Sequence, residues 1–221
     1  MKYLLTLSLV LFMFAGAIAQ DKTAAEYKNE GNAALKAKNY KLALENFEKA
    51  IANWEDGTEM DSKMIYNAAT CARKIKDYDK AIKYYTQSKD LKYRADLATY
   101  YIAYSLKNQG KEKEMEQVLT NALKEFPNSK YLGHMKKMLV TYYLKEGSVP
   151  FNDATKIWDT YNNLSESQRT QELYDKTAVK ANVKYEEAKP FFDKVLTIDP
   201  NNASAKKALA EINDNLKGKK S

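Results

Sequence analysis

AEYKNEGNAALKAKNYKLALENFEKAI, residues 25–51, sets small and aromatic side chains where two packed antiparallel helices need them, and the arrangement returns downstream. Aligned at a period of about 34 residues, a second copy begins at Ser62 and a third at Asp96, with less regular copies from Lys130 and Arg169. Tyr27, Gly31, Ala34, Tyr40, Ala43, Phe47 and Ala50 of the first copy correspond to Ile65, Ala69, Ala72, Tyr78, Ala81, Tyr85 and Ser88 of the second. The third reads Thr99, Ala103, Leu106, Glu112, Met115, Leu119, Ala122 and a closing Pro127, so its interhelix aromatic is lost. The fifth recovers it with Tyr185, Ala188, Phe192, Val195 and Pro200, after a first helix expected over Glu166–Ala181. The fourth needs an insertion of about five residues around Glu146–Pro150 before Ala154, Trp158 and Tyr161 resume the spacing. Five units follow: about 24–61, 62–95, 96–129, 130–168 and 169–202.

Gly31, Ala69 and Ala103 let a neighbouring helix come close, whereas Tyr40, Phe47, Tyr78 and Tyr85 fill the wedge between helices. Steps of three and four residues gather these groups on one apolar stripe. One hairpin cannot bury such a stripe, but stacking it on the next gives a continuous core. The pattern resembles tetratricopeptide repeats over most of the chain, strongly in units one, two and five. That resemblance implies an all-α fold, a right-handed superhelical solenoid of helix pairs whose first helices line a concave peptide-binding surface. It implies no single ligand.

Residues 1–19 are of another kind. Lys2 precedes the apolar run Leu4–Ile18, and Ala17-Ile18-Ala19 stands before Gln20, the pattern of a secretory signal cleaved after Ala19. The run is short for a spanning helix, and no later run challenges that reading. No cysteine follows the small-residue site, which disfavours a lipoprotein anchor. Residues 20–221 are then a single repeat domain, carried across the inner membrane, with the periplasm of a Gram-negative envelope as the expected compartment. The formal charge of the full sequence is +7. It is spread through lysine-rich helices with acidic groups interspersed, as on a hydrated surface, and no coherent nucleic-acid motif accompanies it.

Asn39 and Asp77 precede Tyr40 and Tyr78 at the interhelix turns, where short polar side chains cap helices. Longer discontinuities are expected around Asn53–Asp61 and Gly147–Asp153, with Pro150 stopping the helix before it. Pro190 sits near a helix start or bends a longer helix, and the packing position of Ala188 fits the first option less well. After Pro200, Ala205, Ala208, Leu209, Ile212 and Leu216 form the stripe of a capping helix over about 203–217. Cys71 is the only cysteine, so no intrachain disulfide forms. It reads as a small packing residue, with an intermolecular disulfide or redox role as the alternative in an oxidising compartment.

In the resembled family, defined positions of each first helix face the groove. Here they are Lys28 and Asn32 in unit one, and Lys63, Tyr66, Asn67 and Arg73 in unit two. Unit three supplies Tyr100, Tyr101 and Tyr104, unit four Tyr131 and Tyr142, and unit five Tyr174. These are the candidate peptide-binding residues, and the groove turns from polar to aromatic along the chain. Tyrosines offer a peptide large contact areas with polar tips. Several of them can instead close gaps between helices, as aromatic stripes at helical spacing often do. Lys28, Asn32 and Asn67 match part of the carboxylate clamp of co-chaperone relatives, but Leu97 and Tyr101 stand where that clamp carries basic residues. Ser129, Ser148, the lone His134 and the Glu186–Glu187 pair form no catalytic constellation, and no cofactor or metal site is expected. The function expected is a scaffold for an envelope protein or peptide, the alternative a homo-oligomer without a foreign ligand. Strongly helical circular dichroism is expected. Replacing Ala81 by a bulky aromatic should disrupt the fold more than Lys80→Glu, because close helix packing leaves no volume beside Ala81. Comparable melting temperatures for the two variants would refute this placement.

Overall fold

The computed structural model describes residues 22–217. The predicted signal segment 1–19 lies outside these residues. Among them the chain forms α1 (Ala24–Lys36), α2 (Tyr40–Ala52), α3 (Ser62–Lys74), α4 (Tyr78–Asp90), α5 (Ala95–Asn108), α6 (Glu112–Glu125), α7 (Leu132–Asn162), α8 (Gln171–Ile198) and α9 (Ala203–Lys217). Successive helices pack on one another in chain order, and α1 also touches α3. This is an all-α solenoid of helix pairs closed by a terminal helix.

The small-to-large fit of each pair is visible at Gly31. A Cβ added there would lie 2.7 Å from two ring carbons of Phe47, which is itself fully buried. Ala69, Ala81 and Ala103 are equally inaccessible, and Tyr85 fills the corresponding space in the second pair. Tyr40 and Tyr78, by contrast, remain half-buried. Ion pairs join consecutive repeats, Lys80 to Glu48 at 2.8 Å and Lys89 to Glu125 at 2.7 Å, and Lys28 of α1 holds Asp61, the cap of α3, at 2.8 Å. Lys80, expected on the free surface, is therefore half-buried at the α2–α4 contact. Its partner Glu48 also accepts from the Tyr84 hydroxyl at 3.0 Å.

One turn closes the early helices. Lys38, Lys76 and Lys92 adopt φ of 59°, 64° and 57°. The next residue's N–H donates back into the helix, Asn39 to Ala34 O, Asp77 to Ala72 O and Tyr93 to Ser88 O, each at 2.9 Å. After α5 the same place holds Gly110, with φ of 75° and Lys111 N–H donating to Leu106 O. Asn39 and Asp77 close one helix and open the next, their side-chain oxygens accepting from Leu42 N–H at 3.3 Å and Lys80 N–H at 3.1 Å. Turns this short force each pair into an antiparallel hairpin.

The second half departs from the sequence expectation. No break occurs at Gly147–Asp153: α7 runs through Pro150 for 31 residues, and α8 through Pro190 for 28. The helix expected over Glu166–Ala181 begins only at Gln171, after a short 3₁₀ turn at Glu166–Gln168, and continues without a break to Ile198. Gly147 serves close packing rather than a turn, since a Cβ there would meet Phe191 Cβ at 3.0 Å and the Phe192 ring at 3.2 Å. Phe151 packs edge-on against Tyr185 and Phe192, with ring centroids 5.7 and 5.9 Å away. Burial along this interface outweighs the backbone bond that each proline removes. Then α9 covers α8 with Ala205, Ala208, Leu209 and Ile212.

A left-handed backbone at a residue with a Cβ costs about 1–2 kcal/mol. Lys76→Gly should therefore raise unfolding stability by about 0.5–1 kcal/mol, after allowing for the greater freedom of glycine in the unfolded chain. Urea denaturation measures it, and a destabilised variant would contradict the cap geometry.

Candidate functional site

The second and third helix pairs meet around a fully buried tyrosine. Tyr85 on α4 stacks on Tyr101 of α5, with centroids 5.3 Å apart and planes at 27°, and meets the edge of Tyr66 of α3 at 5.5 Å. Its hydroxyl accepts from Arg73 Nε at 3.2 Å and lies 3.2 Å from Thr70 Oγ1. Thr70 donates its own proton to Tyr66 O at 3.0 Å. Thr70 Oγ1 therefore accepts from Tyr85, and a directed chain runs from Arg73 through Tyr85 and Thr70 to the α3 backbone.

Arg73 is held by more than that bond. Its guanidinium lies 4.0 Å from the centroid of Tyr101 and 5.9 Å from that of Tyr104, in the range of cation–π attraction. Burial opposes its charge, but the Tyr85 hydroxyl and the neighbouring phenol oxygens outweigh it and raise its pKa. Burial pushes Tyr66, Tyr85 and Tyr100 above the ordinary tyrosine value, so the hydroxyls stay protonated at neutral pH. The aromatic surface continues from Tyr101 to Tyr100 at 5.2 Å, then to Tyr131 at 6.3 Å and His134 at 5.8 Å, at the start of α7. On the other side Tyr93 meets Tyr66 at 5.7 Å, and Arg94 lies 5.4 Å from the Tyr66 centroid.

Of the residues expected in the groove, Tyr66, Arg73, Tyr100, Tyr101, Tyr104 and Tyr131 come together here. Tyr100, Tyr101, Tyr104 and Tyr131 are partly exposed, whereas Tyr66 is buried and supports the surface from beneath. Tyr142 is also buried, against Tyr143 at 5.4 Å, because the start of α6, Glu112–Glu114, and the turn before it stand beside it. Tyr174 is exposed but belongs to a separate aromatic triad with Trp158 and Tyr161, at 5.4 and 5.8 Å. Lys28 pairs with the α3 cap Asp61 and, with Lys22, Trp54 and Thr58, lines a depression of about 520 Å³. Asn32 and Lys63 are exposed and Asn67 is half-buried. Tyr93 and Arg94 were missed because they stand in the α4–α5 connection, outside the first-helix positions from which a groove is read. The aromatic-plus-arginine dipeptide was the available signal.

Cys71 is fully buried, and burial pushes its thiol up to about 12. Among the described residues no three His, Cys, Asp or Glu side chains are placed to hold a metal ion. No helix among them is long and apolar enough to cross a membrane.

Three segments match the tetratricopeptide repeat: residues 62–93, 97–129 and 184–202. The crystal structure of a TPR repeats protein from Bacteroides fragilis is similar in fold, with a TM-score of 0.57 and 22% identity over 86% of this chain and 98% of that one. A tetratricopeptide repeat protein from Parabacteroides merdae aligns with a TM-score of 0.45 and 14% identity, covering 87% of this chain and 73% of its own. No curated protein matches the chain in sequence.

A thiol this buried is not available as a thiolate. In the folded protein at about pH 8, Cys71 should resist a disulfide thiol reagent, and it should react fully once the chain is denatured. Rapid native labelling would reinstate a redox role.

Proposed function

We propose that this chain, built from tetratricopeptide repeats, is a protein-interaction scaffold of the cell envelope that binds a protein segment across the tyrosine surface of α3, α5 and the start of α7. The observation that carries the reading is the row Tyr104, Tyr101, Tyr100 and Tyr131, partly exposed yet fixed from behind by Tyr85 and Arg73. Rings held in place lose little freedom on binding and bring large contact areas. An extended segment lying across successive first helices meets them in sequence, a mode of peptide recognition that reuses repeat geometry. The leader over residues 1–19 supports secretion across the inner membrane and a periplasmic site of action.

A second reading is self-association. Val179 and Val183, one turn apart on α8, are 60% and 48% exposed, and Val149 on α7 is 60% exposed. Light scattering across a concentration series separates the two: a strict monomer rules out self-assembly under those conditions.

Crosslinking in native cells with mass spectrometry of the captured chains tests the scaffold reading. Tyr101→Ala with Tyr104→Ala should weaken a captured partner by about 1–4 kcal/mol, without loss of helical circular dichroism. Unchanged affinity would remove these tyrosines as anchors, and failure to recover any specific protein would count against the scaffold itself.

A further inference from the structure

Of the three arginines in the sequence, Arg73 and Arg94 both stand against the tyrosine cluster. Among the described residues neither is paired with a carboxylate, whereas Lys28, Lys80, Lys89, Lys184 and Lys189 all are. The carboxylates that line one depression with Arg94 are otherwise engaged. Glu125 holds Lys89 at 2.7 Å, and Asp96 accepts from Ser129 Oγ at 2.6 Å and from Leu97 N–H at 2.8 Å. Arg73 commits its Nε to Tyr85, so its two terminal nitrogens are the donors for an outside acceptor. A guanidinium fork matches a carboxylate in a way that an ammonium does not. Protonated phenol hydroxyls add neutral donors beside it.

We infer that Arg73 and Arg94 make the tyrosine surface a receptor for an acidic, extended polypeptide segment whose carboxylates meet the two guanidinium groups while its apolar side chains lie along Tyr101 and Tyr104. The inference rests on the interaction-scaffold reading and names the chemistry of the partner. A single-stranded nucleic acid also combines negative charge with flat groups, but its bases need open ring faces on which to stack. Tyr101 has Tyr85 stacked on it at 5.3 Å and the Arg73 guanidinium 4.0 Å from its centroid, so its faces are already in use. At Tyr101 what remains for a ligand is the ring edge and hydroxyl beside the guanidinium donors.

Fluorescence anisotropy with the purified protein tests this, using a labelled dodecapeptide of repeated Gly-Phe-Glu against its Gly-Phe-Gln and Gly-Phe-Lys counterparts and a thymidine oligonucleotide. The glutamate peptide should bind at least about tenfold more tightly than the glutamine peptide, by an advantage that shrinks with added salt. Arg73→Gln and Arg94→Gln should each remove about tenfold of that affinity, and Arg73→Lys should restore only part of it. Arg94 is exposed, so its variant keeps the test open even where Arg73→Gln loosens the packing around Tyr85, which circular dichroism reports. Equal binding of the glutamate and glutamine peptides, both abolished by the paired Tyr101→Ala and Tyr104→Ala change, would overturn the acidic preference and leave the scaffold reading standing. Binding of the glutamate peptide untouched by either arginine variant, tighter binding of the oligonucleotide, or no binding of the glutamate peptide would each overturn the inference. Only failure of the native crosslinking experiment bears on the scaffold reading itself.

Discussion

The contact on which the central part of this protein turns is the burial of Tyr85 with its hydroxyl satisfied. The ring fills the space between α3 and α5, and the oxygen at its tip would be costly to bury alone. Arg73 donates to it and Thr70 accepts from it, so the same atoms that make the aromatic tolerable in the core fix a cation at the surface. Packing and charge placement are thus one arrangement. Phe47 fills the matching place in the first pair with no polar tip, and no arginine is gathered there.

Position along the solenoid adds a second constraint. Tyr100 touches both Tyr101 within its own helix and the Tyr131–His134 start of α7, so the aromatic row crosses the joint where short helix pairs give way to the long α7–α8 hairpin. Ion pairs reach across that joint as well, Lys145 to Glu112 and Lys194 to Glu116, but the two sides differ in how their helices turn and pack. The early pairs are linked by ion pairs between repeats and by tight lysine-closed turns. The hairpin is held by an extended face of interlocking rings, with Gly147 admitting Phe191 and Phe192. A segment bound across the joint would touch both kinds of structure. Nearest-neighbour stability of repeat arrays makes such a bridge a direct means of coupling them.

The repeat was legible because helix pairing is a local matter. Small residues facing aromatics at steps of three and four, with Asn39 and Asp77 as punctuation, determine the hairpins through contacts within about one repeat length. The same reasoning placed the capping stripe of α9, where Ala205, Ala208, Leu209 and Ile212 are buried. Individual groove residues were less legible. A first-helix position marks a side chain as near the groove, but Tyr66 and Tyr142 are buried while Tyr100 and Tyr104 stay partly exposed, and their helix periodicity is alike.

By itself, then, the sequence determined a helical repeat, its caps and the residues that could pack between paired helices. Tertiary structure decided what happened at Pro150 and Pro190, where local breakers lost to the buried face shared by α7 and α8. It also decided which tyrosines stayed accessible and brought Arg94, from a connection, and Arg73, from a helix, against the same tyrosine cluster. Caps and periodicity act over a few residues and leave a signature in the chain. The balance between a lost backbone bond and an interface, or the meeting of two cations around one ring system, depends on groups far apart in sequence and exists only once they are packed together.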